Sequence, residues 1–226
     1  MAKSNIRELP AYSIKEAAHY LSVSESTMRY WAAGQNHHKS LIDAAQLKPV
    51  VLLSFFNLTE LHVLATIRKI HEVPMHKVRV AIDFLQNITT SAHGKRHPLI
   101  SQDLQTNGLD LFIEEMGRLI NISEGGQEAI KEVVKAALKR IERDDHGIPI
   151  RLFPFTRQDI YASPSLVVID PALSAGRPVI RGTGLSTQVI AERYKAGDSV
   201  KELAKDYERK TEEIEEAIRC ELQLAA

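Results

Sequence analysis

Two helix starts lie only eleven residues apart near the front of this 226-residue chain, at Ser13 and Ser24. Few folds tolerate that spacing. Ser13 with Glu16 has the Ser-x-x-Glu form of a capping box, in which each side chain satisfies a backbone N–H of the other residue. Ser24, followed by Glu25, starts a second helix as an N-cap. Ile14, Ala17, Ala18 and Leu21 recur at helical spacing, and Val23, Met28 and Trp31 continue that apolar face. Two short helices joined by a turn of three or four residues form a helix-turn-helix. The second helix then carries Ser24, Glu25, Ser26, Thr27, Arg29 and Tyr30 on its cap and polar side, the residue types that meet phosphates and base edges. These six are the candidate DNA-binding residues. Trp31 is expected to pack against the first helix.

Residue identities extend that reading. Tyr12-Ser13-Ile14, Ala18, Leu21, Val23-Ser24 and Thr27–Trp31 resemble the N-terminal winged helix-turn-helix of MerR-type regulators. The likeness continues through Leu58–Arg68, Val73-Pro74-Met75 and Lys77–Leu85, and covers about residues 11–86. It implies third and fourth helices there and a wing between Gly34 and Phe55. The long dimerising heptad run that usually follows this module is absent.

Charge divides the chain. Residues 1–100 hold 12 Lys/Arg against 7 Asp/Glu, and residues 101–226 hold 17 against 22, so a net of zero hides a basic front and an acidic rear. Eight of the nine histidines also lie in the first hundred residues. A basic front suits phosphate; the rear is not built to meet it. No apolar run approaches the roughly 18 residues of a membrane span. The N-terminal residues show no apolar signal core, and the single Cys220 precludes intrachain disulfides, so a reducing, cytoplasmic setting is expected.

Three segments are expected. Residues 1–92 form the DNA-binding head, with helices near 14–21, 25–33, 57–71 and 76–86 and a β-rich stretch at Val50–Phe56. Asn57 is read as a helix cap, and the polar run Ser91–Pro98 as a linker. Residues 93–162 read as a middle α+β segment for dimerisation or partner contact: strands at Leu109–Ile113 and Arg118–Ile122 around Gly117, an amphipathic helix over 124–143, and an edge strand at Ile148–Phe155. Residues 163–226 read as a short strand, a Gly-rich arm and three helices near 186–196, 199–206 and 211–223. The fold class is thus mainly α with small β elements.

In the rear segment Gly176–Gly184, with Tyr194, Gly197, Leu203-Ala204 and Tyr207, resembles a compact bacterial antitoxin domain over about residues 166–222. Gly184 stands where that family more often has Arg. The whole chain therefore resembles a VapB-type antitoxin carrying a MerR-like head. That resemblance implies a type II antitoxin and autorepressor: a homodimer or higher homo-oligomer on operator DNA, partnered by a PIN-like ribonuclease toxin. Arg177 and Arg181 are the candidate toxin contacts. Four residues apart, they would share one face of a regular strand. They could equally be internal struts to Asp170, Glu192 or backbone carbonyls. The third rear helix, with five Glu and one Arg over 211–226, would be repelled by DNA.

Catalysis finds no support. The Gly-rich arm fits neither phosphate-loop pattern, and no Gly-x-Ser-x-Gly elbow occurs. His37-His38 and His93/His97 lack metal-ligand spacing. No enzyme activity, metal or cofactor is expected. The competing reading is a MerR-like transcription regulator whose rear half senses a ligand.

Overall fold

The computed structural model describes residues 5–35, 38–69, 73–120 and 123–222. It is mainly helical with small antiparallel sheets, as expected. β1 (Tyr12–Ser13) leads into α1 (Ile14–Tyr20), and a short turn leads to α2 (Glu25–Ala33). β2 (Leu52–Leu53) returns from the wing to pair antiparallel with β1, Tyr12 opposite Leu53. This pairing fixes the wing's base to the start of α1.

α3 (Phe55–Lys69) is the axis of the molecule, with every side chain from Phe55 to Ile67 buried. Its start differs from the expected Asn57 cap. The Ser54 hydroxyl accepts the Asn57 N–H at 3.1 Å. Asn57 instead ties down the wing: its Oδ1 accepts from Ala45 N at 2.9 Å, and its Nδ2 donates to Asp43 O at 2.8 Å. Residue 71, the expected end of this helix, lies outside the described residues.

α4 (Met75–Ile88) follows Pro74, as its fixed φ favours. The Ser91–Pro98 run is folded, unlike the expected linker. It forms α5 (Ala92–Arg96), capped by Ser91, and then a 3₁₀ turn at Pro98–Ile100. The apolar core continues across it: Leu99, Ile100, Leu104 and Phe112 belong to the same buried cluster as Trp31 and Leu64.

In place of the expected strands at Leu109–Ile113 and Arg118–Ile122 stands a single helix, α6 (Leu109–Ile120); residues 121 and 122 lie outside the described residues. Leu109, Phe112, Ile113 and Met116 are buried at helical spacing, a period that two short strands cannot satisfy. Gly117 serves a helix crossing instead. A Cβ there would lie 2.3 Å from the Gln127 side chain of α7 (Glu124–Leu138). The expected 124–143 helix thus stops early. Asp144–Gly147 makes a turn in which Asp144 Oδ1 accepts the His146 and Ile148 N–H groups, each at 3.0 Å. That turn joins β3 (Ile141–Arg143) to β4 (Pro149–Leu152), and hairpin pairing outcompetes helix extension.

Residues 153–166 form a strap gathered by one buried side chain. The Arg140 guanidinium donates to the carbonyls of Phe153, Pro154, Ser163 and Pro164 and to Ser165 Oγ, between 2.7 and 3.1 Å, and lies over the Phe155 ring. The rear module follows. β5 (Val167–Val168) pairs antiparallel with β6 (Val179–Ile180), and α8 (Thr187–Lys195), α9 (Val200–Asp206) and α10 (Thr211–Leu222) close over their own small core of Ile190, Leu203, Ile214 and Ile218.

Candidate nucleic-acid interface and partner site

The front helix pair forms through the caps read from its sequence. Ser13 N donates to Glu16 Oε2 at 2.8 Å, and Glu16 N donates to Ser13 Oγ at 3.2 Å. Trp31 is fully buried in the core with Tyr12, Ala17 and Met28, so it is not free to stack on bases. Ser24 Oγ accepts from Thr27 N at 3.3 Å and donates to Thr27 Oγ1 at 2.9 Å. These two hydroxyls are engaged with each other at the helix start. Glu25, Ser26 and Arg29 are exposed. Arg29 makes no ion pair among the described residues.

Tyr30 is placed differently from its neighbours. It is half-buried, with the Arg79 guanidinium 5.8 Å from its ring and the His38 ring edge-on at 6.3 Å. Arg79, on α4, also donates to Lys39 O at 2.6 Å. One arginine thus links α2, the wing and α4. The sequence alone gives no reason to pair Arg79 with Tyr30, 49 residues away; the wing's path decides it.

The two candidate arginines of the arm part company. Arg177 turns inward, onto the front module: its Nη2 is 2.9 Å from Glu16 Oε1, its Nη1 donates to Ala11 O at 3.2 Å, and its guanidinium covers the Tyr12 ring. Tyr12 Oη donates to Gly176 O at 3.0 Å. Burial pushes this phenol far above its ordinary range, so it stays a neutral donor. Gly176 has φ +76°, and a Cβ there would strike Tyr12 Oη, so this contact requires glycine. A second tie runs from His19 Nε2 to Glu221 Oε2 at 3.6 Å. Burial works to raise the Glu221 carboxyl, but hydrogen bonds from His19 and Thr187 hold it below its ordinary range.

Arg181 lies on the other side of β6. It is exposed, and its guanidinium sits 5.1 Å from the Phe153 ring centre. Of the ten arginines after residue 100, it is the one whose guanidinium has no oxygen partner among the described residues. The predicted shared face does not form, because the β6 segment is only two residues long and turns at both ends.

A chain with this helix-turn-helix and this rear module has relatives. Residues 10–82 match a family described as "Putative DNA-binding HTH domain", and residues 167–219 match "Protein of unknown function (DUF433)". The chain is 27% identical over 93% of its length, and 93% of the relative's, to a Mycobacterium tuberculosis (strain ATCC 25618 / H37Rv) protein named "Putative antitoxin VapB45". It is also similar to the crystal structure of Rv2018 from Mycobacterium tuberculosis, with a TM-score of 0.70 and 25% identity over 93% of this chain and 98% of that one. Both likenesses span front, middle and rear together.

His93 and His97 are structural in their surroundings. His97 Nδ1 lies 2.9 Å from Glu60 Oε2, both buried, and the His93 and His97 rings pack on Phe56. Burial pushes the Glu60 carboxyl up, against the lowering pull of His97. Among the described residues no group of three or more His, Cys, Asp or Glu is arranged to hold a metal ion; His37 lies outside them. No described helix is long and apolar enough to cross a membrane.

Proposed function

We propose that this chain is the antitoxin of a type II toxin–antitoxin pair and represses its own operon. The observation that carries this reading is the alignment, over 93% of both chains, with a protein named as an antitoxin. In support, the front segment matches a helix-turn-helix model and leaves Arg29 exposed and unpaired beside a basic wing. Residues 1–92 would read operator DNA through Glu25, Ser26 and Arg29. Ser24 and Thr27 would act mainly by setting the helix start, and Tyr30 by bracing the wing. The operator complex would be a homodimer or higher homo-oligomer, because such modules read two-fold half-sites. The chain would act in the cytoplasm without enzymatic activity or cofactor.

Residues 163–226 would bind the toxin, which on the family resemblance is a PIN-like ribonuclease. Arg181 is the arm residue free to meet it; Arg177 would have to leave Glu16 first. Expressing the open reading frame beside this gene should arrest growth, and co-expressing this chain should relieve the arrest. A neighbouring product that is harmless, or toxic whether or not this chain is present, would overturn the reading.

A further inference from the structure

The strap, the β3–β4 hairpin and the Gly-rich turn enclose a cavity of about 530 Å³ beside Arg181. Its walls are Glu142, Arg151, Phe153, Leu173, Arg181 and the Gly182–Gly184 turn. We propose that this cavity is a receptor for an acidic side chain of the partner protein, with Arg181 as its anchor.

The charges within it select the ligand. Arg151 is already shared by two carboxylates: its Nε is 2.8 Å from Asp170 Oδ2, and its Nη1 is 2.8 Å from Glu142 Oε1. Arg181 is not. It is held by the face of the buried Phe153 ring, a contact that orients the guanidinium without using its N–H donors. The wall therefore offers one guanidinium whose planar fork of donors is unused among the described residues, which matches a single carboxylate. The Glu142 carboxylate on the same wall disfavours a doubly charged phosphate. Phe153, Val168 and Leu173 supply apolar surface for the methylenes of a Glu side chain.

The turn is shaped to admit a neighbouring backbone. Thr183 N donates to Ile180 O at 3.1 Å, and Thr183 Oγ1 donates to the same carbonyl at 2.8 Å and accepts from Leu185 N at 3.1 Å, which holds the turn closed. Open space lies where a Cβ of Gly182 or Gly184 would stand. A partner strand or loop can approach there without displacing protein atoms. Arg181 thus forms part of a cavity wall and does not project from an arm: the partner brings its carboxylate to the arginine.

This inference rests on the reading of the rear half as the partner-binding half, but its test does not need the partner. The full chain, labelled with nitrogen-15, is titrated with N-acetylglutamate α-amide, with its neutral glutamine counterpart and with inorganic phosphate, while the arginine Nε–Hε signals are followed. The Arg181 signal, assigned by its loss in R181Q, should move with the carboxylate and stay still with the glutamine compound. F153A should weaken the response several-fold. An Arg181 signal that does not move, or that follows phosphate as strongly as the carboxylate, would refute the acidic-side-chain assignment. In the complex with the neighbouring toxin, R181Q should lower affinity roughly tenfold. Unchanged affinity there would reject the cavity while leaving the antitoxin reading intact.

Discussion

The chain builds its capping box twice and gives it two different surroundings. At the front, Ser13 and Glu16 close it at 2.8 and 3.2 Å; at the rear, Ser199 and Glu202 close it at the same two distances. Each box starts a seven-residue helix that leads through a tight turn into a second helix. The outward faces then diverge. α2 exposes Arg29 unpaired, whereas α10 carries five glutamates. Glu213, Glu216 and Glu221 are bound to Arg209, to Arg157 and Arg219, and to His19, and Glu212 and Glu215 are left without an ion pair among the described residues. Local backbone chemistry sets the shape of a helix-turn-helix. The charge left over after internal pairing sets what it can touch.

The two helix pairs also rest on separate cores. Trp31 belongs to the large front-and-middle cluster, and the rear helices have their own. Trp31→Ala should cost about 3–5 kcal/mol. Amide exchange should quicken in α1–α4 and α6 while α8–α10 keep their protection. Uniform loss of protection would show that the two halves are one cooperative unit.

Acid should act on the same side of the divide. Burial, helped by the charge of Arg140, pushes His62 from 6.5 down to about 3, so the unfolded chain binds its proton first. The stability it supports is complete above about pH 6.5 and is lost as pH falls from there toward 3. Glu60, raised by burial, acts with the opposite sign, its contribution being lost as pH rises above its ordinary 4.5. His62→Phe, which keeps a ring against Phe155, should flatten the fall in melting temperature below pH 6.5. An unchanged pH profile would remove His62 from the account.

Smaller effects test the faces and the caps. Arg29→Ala should weaken DNA binding by about 1–3 kcal/mol, evenly across sequences, and lower the salt slope by about one. Glu215→Ala on α10 should leave DNA affinity where it was. Ser13→Ala and Ser199→Ala should each cost about 1 kcal/mol. A clear inequality in calorimetry would mean that tertiary packing, not the cap, holds one of the helices.

The parts readable from sequence were those fixed by short-range chemistry. The front capping box, the buried Trp31, the helix after Pro74 and the three rear helices follow from caps and apolar period. The middle segment misled where a period had to compete with a turn. Leu109–Ile113 is short and apolar enough to pass for a strand, and only its packing on α7 through Gly117 shows it to be helix. The periodicity of 130–141 ran on into β3, because Ile141 stays buried in either conformation. The surroundings of the candidate residues were legible only in part. Arg29 follows from helical phase, whereas Arg79 on Tyr30, Arg177 on Glu16 and Arg181 on Phe153 join residues brought together by the wing, the arm and the strap. No spacing rule reports such contacts.

A DNA-reading front and a protein-binding rear can be told apart by one paired binding measurement. Arg29→Ala and Arg181→Gln in the full chain are each titrated against the DNA upstream of this gene and against the product of the neighbouring reading frame. The account predicts that Arg29→Ala loses DNA affinity and keeps the protein partner, while Arg181→Gln does the reverse. If either substitution weakened both interactions equally, or left both untouched, a front that reads DNA and a rear that binds protein would be the wrong description of this molecule.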